Sequence, residues 1–98
     1  MNLKNFIKST AELDPSLILK GDQDQVSFIS KILVDSENQI ILLTLSLTKP
    51  TSPLRLFDLR KQTSSAPSGF KFYLFNPQKQ QKTYTFGYYL RDQYLVIK

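Results

Sequence analysis

Ile40-Ile41-Leu42-Leu43-Thr44-Leu45-Ser46-Leu47-Thr48 is the stretch on which the fold turns. Its odd positions, Ile41, Leu43, Leu45 and Leu47, are all apolar, while its even positions pass from Ile40 and Leu42 to Thr44, Ser46 and Thr48. Successive side chains of a strand point to opposite faces, so one face is committed to a core and the other becomes polar along its length. The pattern predicts a strand in the interior of a sheet. Its wholly apolar part, Ile40 to Leu43, is far shorter than the roughly 20 residues a membrane helix needs.

Working towards the N-terminus, Asp35-Ser36-Glu37-Asn38-Gln39 has the length and composition of a hairpin loop. Before it, Val26, Phe28, Ser30, Ile32 and Val34 alternate as a second strand, rich in β-branched residues. Gly21-Asp22-Gln23-Asp24 reads as a polar turn and Ser16 to Lys20 as a short extended piece. Residues 2 to 13 put Leu3, Phe6, Ile7, Thr10 and Ala11 on one helical stripe, with Lys4, Lys8 and Glu12 at i, i+4 spacing on another. An amphipathic helix is predicted there, ended by Asp14-Pro15, because the residue before a proline is pushed out of the α region.

Working towards the C-terminus, Lys49-Pro50-Thr51-Ser52-Pro53 holds two prolines that cannot donate to a ladder, which makes it a crossover. Ser52 as N-cap and Pro53 as first helical residue predict a short helix from Leu54 to Gln62, burying Leu56 and Leu59 with Phe57 as a further candidate, and with an extended alternative. Thr63 to Gly69 is a small, polar loop. Phe70 to Phe75, Lys82 to Leu90 and Tyr94 to Lys98 then read as a three-stranded meander. In its middle strand Tyr84, Phe86, Tyr88 and Leu90 share one face by alternation. The fold class expected is α+β, one domain over residues 1–98. An N-terminal helix packs on a curled antiparallel sheet of four to six strands, with a short second helix or crossover near residues 53–62.

Composition narrows the chemistry. At 41% hydrophobic and 21% charged residues over 98 positions, the chain falls near globular averages and can bury one core. It has no cysteine and no histidine, so thiolate metal sites, disulfides and the usual acid–base side chain near neutral pH are missing. Gly21, Gly69 and Gly87 are isolated and form no phosphate-binding loop, and Asp22 with Asp24 lacks the rest of a calcium loop. No cofactor or metal is expected. Lys4, Lys8, Glu12 and Asp14 interrupt the N-terminal region where a secretory signal would be apolar, which points to a cytoplasmic setting and no membrane.

The net charge of +5 is unevenly placed. Up to Thr48, Lys4, Lys8, Lys20 and Lys31 are outnumbered by Glu12, Asp14, Asp22, Asp24, Asp35 and Glu37. Beyond it, Lys49, Arg55, Arg60, Lys61, Lys71, Lys79, Lys82, Arg91 and Lys98 face only Asp58 and Asp92. Aromatic residues follow the same division, with only Phe6 and Phe28 in the first half. Cations interleaved with rings are the groups that nucleic-acid binders direct at phosphates and bases, although strands and their edges also favour both residue types.

Ser68-Gly69-Phe70-Lys71-Phe72-Tyr73-Leu74-Phe75 resembles the third-strand signature of RNA-recognition motifs at Gly69, Phe70, Phe72 and Phe75. Ser68 replaces the usual basic residue, Lys71 stands where Gly or Ala is usual, and the following segment alternates like a strand where that fold has a helix. The resemblance covers eight residues and no family is assigned from it.

The function expected is a small, non-catalytic binding module whose basic, aromatic C-terminal half receives an anionic partner, either nucleic acid or an acidic protein surface. Arg55, Arg60, Lys61, Lys71, Lys79, Lys82 and Arg91 are the candidate cations, and Tyr73, Tyr84, Tyr88, Tyr89 and Tyr94 the candidate rings. The alternative is a protein-interaction subunit or inhibitor working through a strand edge or sheet face, with self-association open to it. A third is a histidine-free ribonuclease built from Tyr88, Tyr89, Arg91, Tyr94 and Lys98.

Overall fold

A computed structural model describes all residues, 1–98. Two helices, α1 (Leu3–Ser9) and α2 (Leu56–Gln62), accompany seven strands: β1 (Ile18–Asp22), β2 (Val26–Asp35), β3 (Ile40–Ser46), β4 (Lys71–Asn76), β5 (Gln81–Tyr84), β6 (Tyr88–Arg91) and β7 (Tyr94–Ile97). They form one sheet in the order β5-β4-β3-β2-β1-β7-β6. The α+β class and the curled sheet agree with the expectation, but the strand count and the purely antiparallel pairing are corrected. β3 pairs with β4, and β1 with β7, in parallel. The first parallel pair follows from the helical crossover, since a chain that returns through a helix re-enters the sheet in its original direction.

The interior strand behaves as its alternation requires. Ile41, Leu43 and Leu45 are buried on the concave side, and Leu47, beyond the strand end, is exposed. The register of β2 on β3 shifts between Ile29 and Lys31, a bulge that bends the strand and adds to the curl. Gly21, expected in a turn, lies inside β1 and points across the interior. A Cβ built there would meet Leu45 Cδ2 at 2.6 Å and Leu74 Cδ2 at 2.8 Å. The missing side chain lets β1 approach the far wall.

Both helices fill the concave side. Leu3 and Phe6 of α1 and Leu56 and Leu59 of α2 join Leu19, Ile29, Ile41, Leu43, Phe72, Leu74, Leu95 and Ile97 in one buried cluster. Phe6 is fully buried, with its ring 5.2 Å from that of Phe72 and 5.8 Å from that of Tyr88. Truncating such a residue to alanine costs about 3–5 kcal/mol.

α1 stops at Ser9, short of the predicted end. The Ser9 and Thr10 hydroxyls both turn back to the Phe6 carbonyl, a local bond that competes with further helix. α2 starts two residues late, with Arg55 in place of Ser52 as N-cap, and buries Leu56 and Leu59 while Phe57, one position round the helix from Leu56, is exposed. Leu54 is held extended against β1, where Leu19 N–H donates to its carbonyl at 2.9 Å, and Arg55 N–H then donates to the Asp58 carboxylate at 2.8 Å. No helix is long and apolar enough to cross a membrane.

The predicted strand Lys82 to Leu90 is two strands. β5 pairs with β4, Thr85 to Gly87 cross a gap, and β6 pairs with β7. The sheet's first and last strands are therefore halves of a single run of chain. That run links the two edges and turns the curled sheet towards closure.

Candidate binding face on the convex side of the sheet

With both helices inside, the outer surface of the sheet carries no covering element, and strand register states what lies on it. Across four strands, Leu33 of β2 stands opposite Leu42, Leu42 opposite Tyr73, and Tyr73 opposite Tyr84. The neighbouring row runs Lys31, Thr44, Phe75 and Lys82. On the other side, Asp35 faces Ile40 and Ile40 faces Lys71. Period-two alternation puts all three rows on one face.

The rings form a connected series. Tyr73 and Tyr84 meet at 5.5 Å with planes tilted by 66°, and Tyr84 meets Phe86 at 5.5 Å and 88°. In edge-to-face contacts of this kind the edge of one ring covers a face of its neighbour, which braces the series from within. Phe86 ends the series 83% exposed. The Met1 amino group donates to the Tyr84 hydroxyl and to the Thr85 carbonyl, each at 2.6 Å. Burial, and then the Lys71 charge, holds that amine below its ordinary range.

Lys31, Lys71 and Lys82 are exposed around the rings and form no ion pair, the molecule's ion pair being Lys79 to Asp24 at 2.6 Å. Asp35 is the nearby carboxylate. Side-chain and backbone hydrogen bonds from Asn38 lower its pKa, with a smaller contribution from Lys82.

The expected site residues do not gather on one surface. Lys71, Lys82, Tyr73 and Tyr84 come together as described. Tyr88 faces inward, packed on Phe6, and its hydroxyl donates to the Ser9 carbonyl at 3.1 Å. Tyr89, Arg91 and Tyr94 lie beyond β2, on the outer side of β6 and β7. There Lys20 Nζ sits 3.9 Å from the Tyr94 ring centre and 4.5 Å from that of Phe28, so the protein's own cation occupies those π-faces. The Tyr89 hydroxyl donates to Asp22 at 3.2 Å, and desolvation followed by that bond raises its pKa. The set proposed for RNA cleavage is thus divided, with Tyr88 on the opposite face from Tyr89.

The remaining cations are engaged elsewhere. Arg55 donates to the Ser16 carbonyl at 2.6 Å, the Arg60 guanidinium donates to the Thr10 carbonyl, and Lys79 is paired with Asp24. Lys61 is exposed on α2. In the segment resembling an RNA-recognition motif, Phe70 and Phe72 are core residues, 6% and 0% exposed.

Sequence reading missed Phe86, Phe75 and Lys31 as members of the face. Alternation marked both Phe86, with Tyr84, and Lys31, opposite Ile32 and Val34, but Lys31 lies in the acidic first half and was passed over. What the bulge in β2 overturns is the single face expected for Val26, Phe28, Ile32 and Val34, since Ile32 is buried while Val26 and Phe28 lie on the outer side. No family model matches the chain, and no curated protein or solved structure matches it.

Proposed function

We propose that this protein is a non-catalytic binding module that takes single-stranded nucleic acid across the convex face of β3, β4 and β5. Phe86 carries the reading: a ring left 83% exposed, at the open end of the Tyr73–Tyr84–Phe86 series, on the face where β4 presents Lys71 and β5 presents Lys82. An exposed ring costs solubility unless something stacks on it, and unpaired lysines at strand spacing suit a phosphate backbone that follows the rings.

An acidic protein surface is the second reading, favoured by Leu33 and Leu42 at the other end of the ring row, with Leu33 45% exposed. Titration of a labelled oligonucleotide at several salt concentrations separates them. Three phosphate contacts give a slope of log K against log salt near −2. Absence of binding at low salt refutes the nucleic-acid reading.

A further inference from the structure

Away from the convex face, α1, the C-terminal part of α2 and the loop at 64–68 border an open groove of about 590 Å³. This volume falls within the range of small-molecule sites, about 300–1,000 Å³. Leu3, Ile7 and Ala66 make its floor and Lys4, Lys8 and Arg60 its rim, and no carboxylate or aromatic ring lines it.

The charge on that rim is uncompensated. Lys4 and Lys8 stand at i, i+4 on α1, a like-charge spacing that weakens a short helix. Glu12, the third member of the sequence series, is off the helix because α1 stops at Ser9, and neither lysine has an ion-pair partner. The walls are nevertheless fixed. The Arg60 guanidinium donates to the Thr10 carbonyl, and Lys4 N–H donates to the Ser68 carbonyl at 2.9 Å, tying the loop to the first turn of α1. Ile7, beside the two lysines on α1, remains 37% exposed.

A ligand that matches this groove carries one anionic head and an aliphatic body. Without rings the groove has nothing on which a base stacks, so it is separate in chemistry from the convex face. Its volume suits a small molecule better than a folded partner. We infer that it binds an aliphatic carboxylate of the fatty-acid type, with the head between Lys4 and Lys8 and the chain along Leu3, Ile7 and Ala66. The head relieves the lysine repulsion and the chain covers Ile7, while the stems of both lysines add apolar surface.

Calorimetric titration of the full chain with octanoate, decanoate and decanol below their aggregation limits, with amide shifts recorded for each, tests this. The expected result is saturable one-to-one binding, roughly tenfold tighter for decanoate than for octanoate, since each buried methylene is worth a factor of about four at most. Decanol binds at least tenfold more weakly than decanoate, and shifts centre on Leu3, Ile7 and Ala66. The Lys4→Gln, Lys8→Gln pair reduces decanoate to the level of decanol with oligonucleotide binding unchanged. Equal affinity for decanol and decanoate, shifts centred on Tyr73 and Tyr84, absence of saturable binding, or a response only to an acidic peptide overturns the inference. The decanoate, octanoate and decanol affinities and the amide shifts do not depend on whether the convex face binds nucleic acid.

Discussion

The Thr85 hydroxyl donates to the Phe72 carbonyl at 2.9 Å, and the Thr85 amide reaches the same oxygen at 3.3 Å. One residue later the chain has changed partners: the Phe86 and Gly87 amides donate to the Lys98 carbonyl at 2.7 and 3.2 Å, and Lys98 N–H returns a bond to Gly87. Thr85, fully buried, is the last hold of the 81–91 run on β4 before it crosses to β7. The N-terminal segment takes the vacated edge, with Phe72 N–H donating to the Met1 carbonyl at 3.0 Å.

Thr85→Val keeps the shape of this side chain and removes its donor. Urea denaturation is expected to show a loss of about 0.5–1.5 kcal/mol, the usual net worth of one such bond. An unchanged midpoint would show that the amide bond alone secures the crossing.

Gly21→Ala inserts a methyl where Leu45 and Leu74 already stand closer than any real Cβ contact allows. Both leucines are buried and have little room to move, so a loss of about 1–3 kcal/mol is expected, larger for Gly21→Val. Chemical denaturation measures it, and a stabilised Gly21→Ala variant would contradict the close approach of β1 to the far wall.

Phe86→Ala separates function from stability. So exposed a ring contributes little to the fold, and the melting temperature should stay within a degree or two. Oligonucleotide affinity is expected to fall five- to a hundredfold, the equivalent of about 1–3 kcal/mol for one stacked base. Lys71→Gln and Lys82→Gln should each flatten the salt slope by about 0.7. Retained affinity in all three variants would remove the convex face as the binding surface.

Tyr88→Phe should behave in the opposite way. Its hydroxyl bonds the Ser9 carbonyl and its ring packs on Phe6, so stability falls by about 0.5–1.5 kcal/mol while oligonucleotide binding is unaffected. Denaturation and binding titrations on one preparation check both halves.

Asp35 predicts the acid response. Its pKa in the folded chain lies below the ordinary 3.8 because Asn38 donates to both of its oxygens. A depressed folded pKa contributes stability in full above the unfolded value, and loses it as pH falls through 3.8 and then through the lower folded value. Asp14, held down by the Ser16 backbone and hydroxyl, acts in the same sense and window. Asp35→Asn is expected to flatten the acid limb of a stability-against-pH curve below about pH 4. A curve parallel to that of the unaltered protein would assign the limb to other groups.

Much of this architecture was legible because it depends on neighbours in sequence. Ile41, Leu43 and Leu45 alternate and are buried, the 35–39 loop joins β2 to β3, and the two prolines after Thr48 mark the crossover. The candidate face was legible only in part. Tyr73 and Tyr84 were named from composition and both lie on it, but Tyr88 was grouped with Tyr84 by alternation across a run that does not stay in one ladder. Thr85 to Gly87 break the period, so Tyr84 and Tyr89 share the outer surface and Tyr88 turns to Phe6. Arg55 and Arg60 carried the right charge, yet the carbonyls of Ser16 and Thr10, distant in sequence, claim their guanidinium groups.

The order of residues by itself determined the approximate positions of both helices and of β2, β3, β4 and β7, which face of β3 is apolar, and that rings and cations accumulate after Thr48. These depend on the backbone's local period and on composition, which need no distant partner. Only the tertiary structure decided which rings meet water. A strand that leaves one edge for the other, or gains one residue at a bulge, reverses the facing of everything beyond it, and that choice belongs to the partner across the ladder.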